Sequence, residues 1–163
     1  MKRLGIAVAI LALGVAGCGD DNNGPNGPSN TTVFTVQLSP ANEVPPVTNA
    51  ENTARGTAVI TVHSDSNTID FAVSLNSFPT TSVLTAAHIH PGAAGVNGGV
   101  LVGTGLTSGN APSLATGSAT FTFNGVAPNS ADAITQILAN PQNFYFNVHS
   151  TANGGGVMRG QLR

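Results

Sequence analysis

Ala58-Val59-Ile60-Thr61-Val62-His63-Ser64-Asp65-Ser66-Asn67-Thr68-Ile69-Asp70-Phe71-Ala72-Val73-Ser74-Leu75 is the stretch that decides the fold class. Ala58, Ile60 and Val62 alternate with Val59, Thr61 and His63, and Ile69, Phe71, Val73 and Leu75 alternate with Asp70, Ala72 and Ser74. A period of two sends one set to a core and the other toward solvent, which marks a half-buried strand. The polar run Ser64-Asp65-Ser66-Asn67 between them reads as a hairpin connection. The same alternation recurs at Phe34, Val36 and Leu38, at Ala119, Phe121 and Phe123, and at Phe144, Phe146 and Val148. Shorter strands are predicted at 83–90, 99–104 and 155–162. Many short strands separated by turn clusters predict an all-β protein, an antiparallel Greek-key or immunoglobulin-like β-sandwich. One segment departs from the pattern, a short helix near 130–139. Ser130 is placed to cap it, Asp132 suits the positive end of its dipole, and Ile134, Ile137 and Leu138 form one stripe. Asn140-Pro141 stops it, and the helix is expected to plug one end of the sandwich.

Composition narrows the function. The chain has 163 residues with 20 Gly and 10 Pro, and only 7% are charged. That length suits one domain and is too short for a TIM barrel. A net charge of −2 gives no electrostatic footprint for nucleic acid. The only lysine is Lys2, so the body of the protein has neither a P-loop lysine nor a Schiff-base lysine. There is no G-x-S-x-G elbow, no H-E-x-x-H and no G-x-G-x-x-G opening a helix.

Residues 1–17 read as a signal peptide. Lys2 and Arg3 are its positive region, Leu4 to Ala16 its apolar run, and Val15-Ala16-Gly17-Cys18 its cleavage site. The last four residues resemble a bacterial lipobox, with Cys18, the only cysteine, as the lipidated residue. Residues 18–31 then form a flexible tether of Gly, Asn, Asp and Pro with a reach of roughly 20 Å. The expected location is the bacterial cell envelope, with the membrane as a partner through the N-terminal lipid. The domain, residues 32–163, has no cysteine and must be stable without a disulfide.

Four motifs in the domain could carry chemistry. His88-Ile89-His90 puts two imidazoles on one face of a strand, a natural start to a copper or zinc site, or two rings hydrogen-bonded to backbone. His149 lies on the polar face of a later strand with Tyr145 and Asn147. If the two strands are neighbours, three histidines converge and leave a fourth position open for water, a ligand or Asn147. Arg159, between Gly154-Gly155-Gly156 and Gly160-Gln161, reads either as an anion-binding arginine near the histidines or as the partner of Glu43 or Asp70. Ala41-Asn42-Glu43-Val44-Pro45-Pro46-Val47 is too proline-rich for a central strand. It is expected as a stiff connection in which Pro45 and Pro46 fix the path and Glu43 accepts hydrogen bonds from another loop. His63, beside a turn, reads as an exposed histidine.

Together these residues resemble a known family. Phe34-Thr35-Val36-Gln37-Leu38, Asn42-Glu43-Val44-Pro45-Pro46-Val47, Ala87-His88-Ile89-His90-Pro91-Gly92, Gly95, Asn97-Gly98, Tyr145-Phe146-Asn147-Val148-His149-Ser150 and Arg159-Gly160-Gln161 resemble the CHRD (chordin-type) domain over residues 32–163. That domain occurs in the extracellular growth-factor antagonist chordin and in many bacterial secreted proteins. The family has been likened to the β-sandwich of copper/zinc superoxide dismutase. The resemblance implies an extracytoplasmic binding module, with an extracellular protein or a glycan among the ligands to be considered, rather than an enzyme. The dismutase likeness implies a second reading, a mononuclear copper or zinc protein. His88, His90 and His149 would be its ligands, and Arg159, Asn147 and Tyr145 would lie around them. The chain departs from a dismutase in lacking a bridging histidine after His90, a zinc-ligand cluster and disulfide cysteines. The third reading is a purely structural envelope domain.

Overall fold

The computed structural model describes residues 30–163. The signal peptide, Cys18 and nearly all of the tether lie outside the described residues. Eight strands and one α-helix follow in the order β1 (Thr31–Leu38), β2 (Arg55–His63), β3 (Thr68–Asn76), β4 (Leu84–Pro91), β5 (Val102–Gly103), β6 (Ala119–Val126), α1 (Ala133–Ala139), β7 (Phe144–Ser150) and β8 (Met158–Gln161). They form two four-stranded antiparallel sheets, ordered β1-β2-β3-β6 and β5-β4-β7-β8. The expected all-β sandwich with one short helix is therefore the observed architecture.

The alternating residues do what their period requires. Phe34, Val36 and Leu38 of β1, Ala58, Ile60 and Val62 of β2, and Ile69, Phe71, Val73 and Leu75 of β3 are all buried. Across the interior they meet Ala87 and Ile89 of β4 and Phe144, Phe146 and Val148 of β7. Phe71 and Phe146 stack across the two sheets with centroids 5.7 Å apart. The hairpin at residues 64–67 joins β2 to β3 as expected, with Asn67 in the left-handed region at φ 52°.

Three details differ from the sequence reading. The strand expected over 99–104 is only Val102–Gly103, because the glycine-rich chain before it makes no ladder. β8 occupies only residues 158–161 of the expected 155–162, since residues 151–155 are taken up by bends and a turn. The helix begins at Ala133, and neither Ser130 nor Asp132 caps it with its side chain. Asp132 sits at the N-cap in a right-handed helical conformation rather than the extended one from which side chains cap. The apolar stripe behaves as expected, with Ile134 and Ile137 buried in the core and Leu138 packed at its margin.

The two faces of the second sheet are both covered, which is unusual for an antiparallel sheet. Tyr145 and Asn147 point away from the hydrophobic core yet are buried, because loops lie over them. The sandwich also closes along one edge. Ser39 at the end of β1 exchanges two backbone hydrogen bonds with Arg159 of β8, at 3.1 and 3.3 Å. Beside this bridge, a Cβ added to Gly160 would lie 2.2 Å from the Gln37 carbonyl oxygen. No side chain fits there, so Gly160→Ala should force the two edges apart and destabilise the protein by about 2–4 kcal/mol. Urea denaturation of the variant measures this, and an unchanged midpoint would refute the closure.

Candidate metal centre

The outer face of the second sheet holds a polar layer, and its members come from three adjacent strands. β4 pairs with β7 in a register that sets His88 opposite Asn147 and His90 opposite Tyr145. β7 pairs with β8 so that Asn147 faces Arg159. Residues two apart on a strand share a face. His88, His90, Tyr145, Asn147, His149 and Arg159 are thereby gathered on one surface.

The three histidines come together. One ring nitrogen from each lies within 4.8 Å of those of the other two. His88 Nδ1 is 3.1 Å from His149 Nε2. The Oδ1 atom of Asn147 is 3.0 Å from His90 Nε2 and 3.1 Å from His149 Nε2. Two loop carbonyls hold the far sides of two rings. His90 Nδ1 lies 3.0 Å from Gly98 O, and His149 Nδ1 lies 2.9 Å from Gly154 O. A carbonyl oxygen only accepts, so each Nδ1 carries a proton and each neutral ring presents a bare lone pair at Nε2. Gly98 can bring its carbonyl in because it has no side chain. A Cβ there would sit 1.7 Å from the Pro91 carbonyl oxygen.

This donor set fits a divalent transition ion. Two Nε2 lone pairs each lie about 3 Å from the Asn147 oxygen, and the ring nitrogen nearest to them is His88 Nδ1, 3.1 Å from His149 Nε2. Acceptors facing one another at that distance repel unless a cation lies between them or the amide turns its NH2 inward. Tetrahedral bonds of 2.0–2.2 Å put ligand atoms about 3.3 Å apart, so the contacts of 3.0–3.1 Å suit an ion, and the three imidazole nitrogens, within 4.8 Å of one another, would close around it. Backbone carbonyls behind ligating imidazoles are the usual supports of such rings.

Electrostatics favours neutral ligands. Burial, with added repulsion from His149 and His90, pushes the His88 imidazole down to about pKa 4. Burial also lowers His149, and the Gly154 carbonyl opposes this only in part. Neutral rings are the ligating form.

The remaining predicted residues fall around this centre rather than in it. The Tyr145 ring lies parallel to the His90 ring, with centroids 5.0 Å apart, and its hydroxyl accepts from the Gly98 amide at 3.2 Å. Arg159 reaches Tyr145 from β8, with its guanidinium carbon 4.5 Å from the ring centroid. Its Nε donates to Asn42 O, and its Nη1 to Val96 O and Asn97 Oδ1. Arg159 therefore points to the loops, and Tyr145 separates it from the histidines. Pro45 and Pro46 lie in an irregular connection outside any strand, and the Val44–Pro45 peptide is cis.

Two expectations are corrected. The Oε1 atom of Glu43 has no hydrogen-bond partner, and Glu43 packs against Gly156 rather than gripping a neighbouring loop by hydrogen bonds. Glu51 has that role instead. Its Oε2 accepts from Ser150 Oγ at 2.6 Å and from Asn153 Nδ2 at 2.5 Å, anchoring the turn that carries Gly154. Glu51 belongs to no motif, and only its capping partner Asn49 marked the segment. His63 is half-buried, with Nε2 2.9 Å from Asp70 Oδ2. A 2.7 Å bond from the Gly125 amide, and after it the bond to His63, hold the Asp70 carboxyl below its usual range.

A family model described as CHRD domain matches residues 34–162, and the chain belongs to that family. No curated protein and no solved structure matches the chain.

Titration of Glu43 should oppose that of the histidines. Burial raises its carboxyl from 4.5 to about 7, against the pull of Arg159. A raised folded-state pKa gives stability that is complete below 4.5 and lost as pH rises through 7. The lowered pKa of His88 works the other way, with stability lost as pH falls from 6.5 toward 4. Glu43→Gln removes only the first effect. Relative to wild type, the variant should gain on the order of 2 kcal/mol between pH 5 and pH 7.5. Urea unfolding at several pH values measures the difference, and parallel curves would refute the burial of an ionisable Glu43.

Proposed function

We propose that this CHRD-domain chain is a cell-envelope binding module that holds one copper or zinc ion through His88, His90 and His149. The observation that carries the reading is the convergence of three imidazole nitrogens within 4.8 Å. The carbonyls of Gly98 and Gly154 support it by fixing the tautomers of two rings. Asn147 Oδ1 would serve as the fourth donor, or as the group that water or a ligand displaces. Copper held there would supply one-electron chemistry and zinc a Lewis acid. The likeness to the dismutase sandwich agrees with two antiparallel four-stranded sheets and with a His-x-His pair facing a later histidine. No second metal cluster of three or more His, Cys, Asp or Glu occurs among the described residues, which fits a mononuclear site. We assign binding rather than turnover.

Titration of the purified, metal-stripped protein with Cu2+ and with Zn2+ tests the ligand. One equivalent should bind, and His88→Ala, His90→Ala and His149→Ala should each weaken binding by at least about tenfold. Binding indifferent to these changes would refute the metal site. It would leave a domain whose histidines brace loops, with a protein or a glycan as its ligand.

The second element of the proposal is the anchor, which rests on the lipobox resemblance at residues 15–18. Lipid on Cys18 would hold the domain a tether's length from the bilayer. A single acyl chain binds membranes only marginally, so stable retention requires the several chains that a lipobox cysteine would carry. Cys18→Ser should move the protein from the membrane fraction to the soluble fraction on fractionation. Unchanged membrane association would refute the anchor.

A further inference from the structure

The Asn147 amide faces a bare imidazole nitrogen on each of two rings. Its Oδ1 is 3.0 Å from His90 Nε2 and 3.1 Å from His149 Nε2. The Gly98 and Gly154 carbonyls place the protons of these rings at Nδ1, so both Nε2 atoms carry lone pairs. The oxygen and the two nitrogens are then all acceptors. Asn147 is 1% exposed and His90 is 6% exposed, so both are buried away from bulk water. Buried acceptors that face one another without a donor are a large local cost. A cation among them removes that cost, and so does a donor.

The other end of the same amide is a donor. With Oδ1 turned to the rings, Asn147 Nδ2 has no hydrogen-bond partner among the described residues. A half-turn about the last bond of the side chain exchanges Oδ1 and Nδ2 and leaves the shape of the group unchanged. The turn therefore breaks no N–H bond, and it offers one N–H to each ring in place of a lone pair. His149 Nε2 has a single lone pair, and His88 Nδ1 at 3.1 Å competes for it. His90 Nε2 has no other partner, so the contact between Asn147 and His90 decides which way the amide lies. An ionised aspartate at this position could only accept, and a leucine could do neither. Asn147 sits in the middle of the second sheet, paired with β4 on one side and β8 on the other, so the buried amide exchanges its ends rather than withdrawing.

We propose that Asn147 is a latch on the imidazole centre. In the metal-free protein its NH2 group lies inward and donates to His90 Nε2, and the amide turns to present Oδ1 when an ion is held. Only the second half of this proposal rests on the metal reading above. The inward amide makes the empty centre a closed hydrogen-bonded cluster, which keeps His90 and His149 in place without an ion. It also occupies the lone pair that an ion would need. The competent form is then a minor one, and both the rate of loading and the affinity fall by its fractional population.

Two measurements test the latch. The first is NMR of the metal-stripped, 15N-labelled wild-type protein at pH 8, above the ordinary histidine range. A scalar coupling carried through the N–H···N hydrogen bond should link Asn147 Nδ2 to His90 Nε2, and it should vanish when Zn2+ is added. Absence of that coupling in the metal-free protein overturns the proposal. This measurement needs no variant, so it decides the matter even where a substitution at residue 147 fails to fold. The second is stopped-flow association with Zn2+. Asn147→Ala removes the inward donor and should load at least about tenfold faster than wild type. The rate is the informative quantity, because the same change also removes Oδ1 from the bound state. Loading no faster than wild type overturns the gating role. Failure of Zn2+ and Cu2+ to bind either protein refutes the metal site instead, and the coupling to His90 then still tests the inward amide.

Discussion

The polar layer on the outer face of the second sheet must be satisfied by the loops that cover it, and this requirement fixes the loops. A buried donor or acceptor left alone costs more than most single contacts supply. Several of them here are matched to particular backbone atoms. His90 takes Gly98 O, His149 takes Gly154 O, and Arg159 takes Asn42 O and Val96 O. Gln161 Nε2 lies within reach of three carbonyls, those of Gly92, Gln142 and Phe144. Asn42 and Asn97 return the favour by donating to Arg159 O and Val44 O. A glycine-rich chain with little apolar surface cannot hold such loops by hydrophobic contact. Hydrogen bonds to buried side chains place them instead.

The same requirement explains how so few charges suffice. Only 7% of the residues are charged, yet Glu43, Glu51 and Arg159 are all buried. Glu51 is engaged through Oε2, to which Ser150 and Asn153 donate. Glu43 and Arg159 each keep an unpartnered atom. A sequence that uses charges so sparingly and leaves two of them incompletely satisfied is bearing a local cost. Costs of that kind concentrate where a protein meets a ligand.

Most of the core was legible because alternation is a property of single strands. Ile69, Phe71, Val73 and Leu75 needed no knowledge of their neighbours to be assigned inward. The site was legible only in part, since convergence is a property of strand order. His88 and His90 share a face by their spacing alone. That His149 joins them follows from β4 lying beside β7, which no local pattern states. The loops were less legible still. Glu43 stood out through its proline-flanked motif and was expected to bind a loop, whereas Glu51, in an unremarkable turn, does so. The helix start was misread for a related reason. Capping depends on a backbone conformation at residue 132 that composition does not set.

Arg159 and the imidazole centre are joined by contact. Tyr145 lies between them on β7, stacked on His90 from the β4 side and touched by Arg159 from the β8 side. The segment Val96-Asn97-Gly98 touches both, since Val96 O and Asn97 Oδ1 accept from Arg159 while Gly98 O holds His90. Tyr145 is buried and its hydroxyl is hydrogen-bonded to the Gly98 amide, so the ring cannot move without moving that segment. Contact is the necessary condition for coupling, and the coupling energy is a separate quantity read from a double-mutant cycle. The geometry does fix its sign of travel. Any displacement of the guanidinium would reach the imidazole centre through a rigid aromatic plane and a glycine carbonyl, both of which bear on His90. His88 has no contact with this path except through the other rings. His90 is therefore the ligand through which the loops, the arginine and the imidazole cluster act on one another.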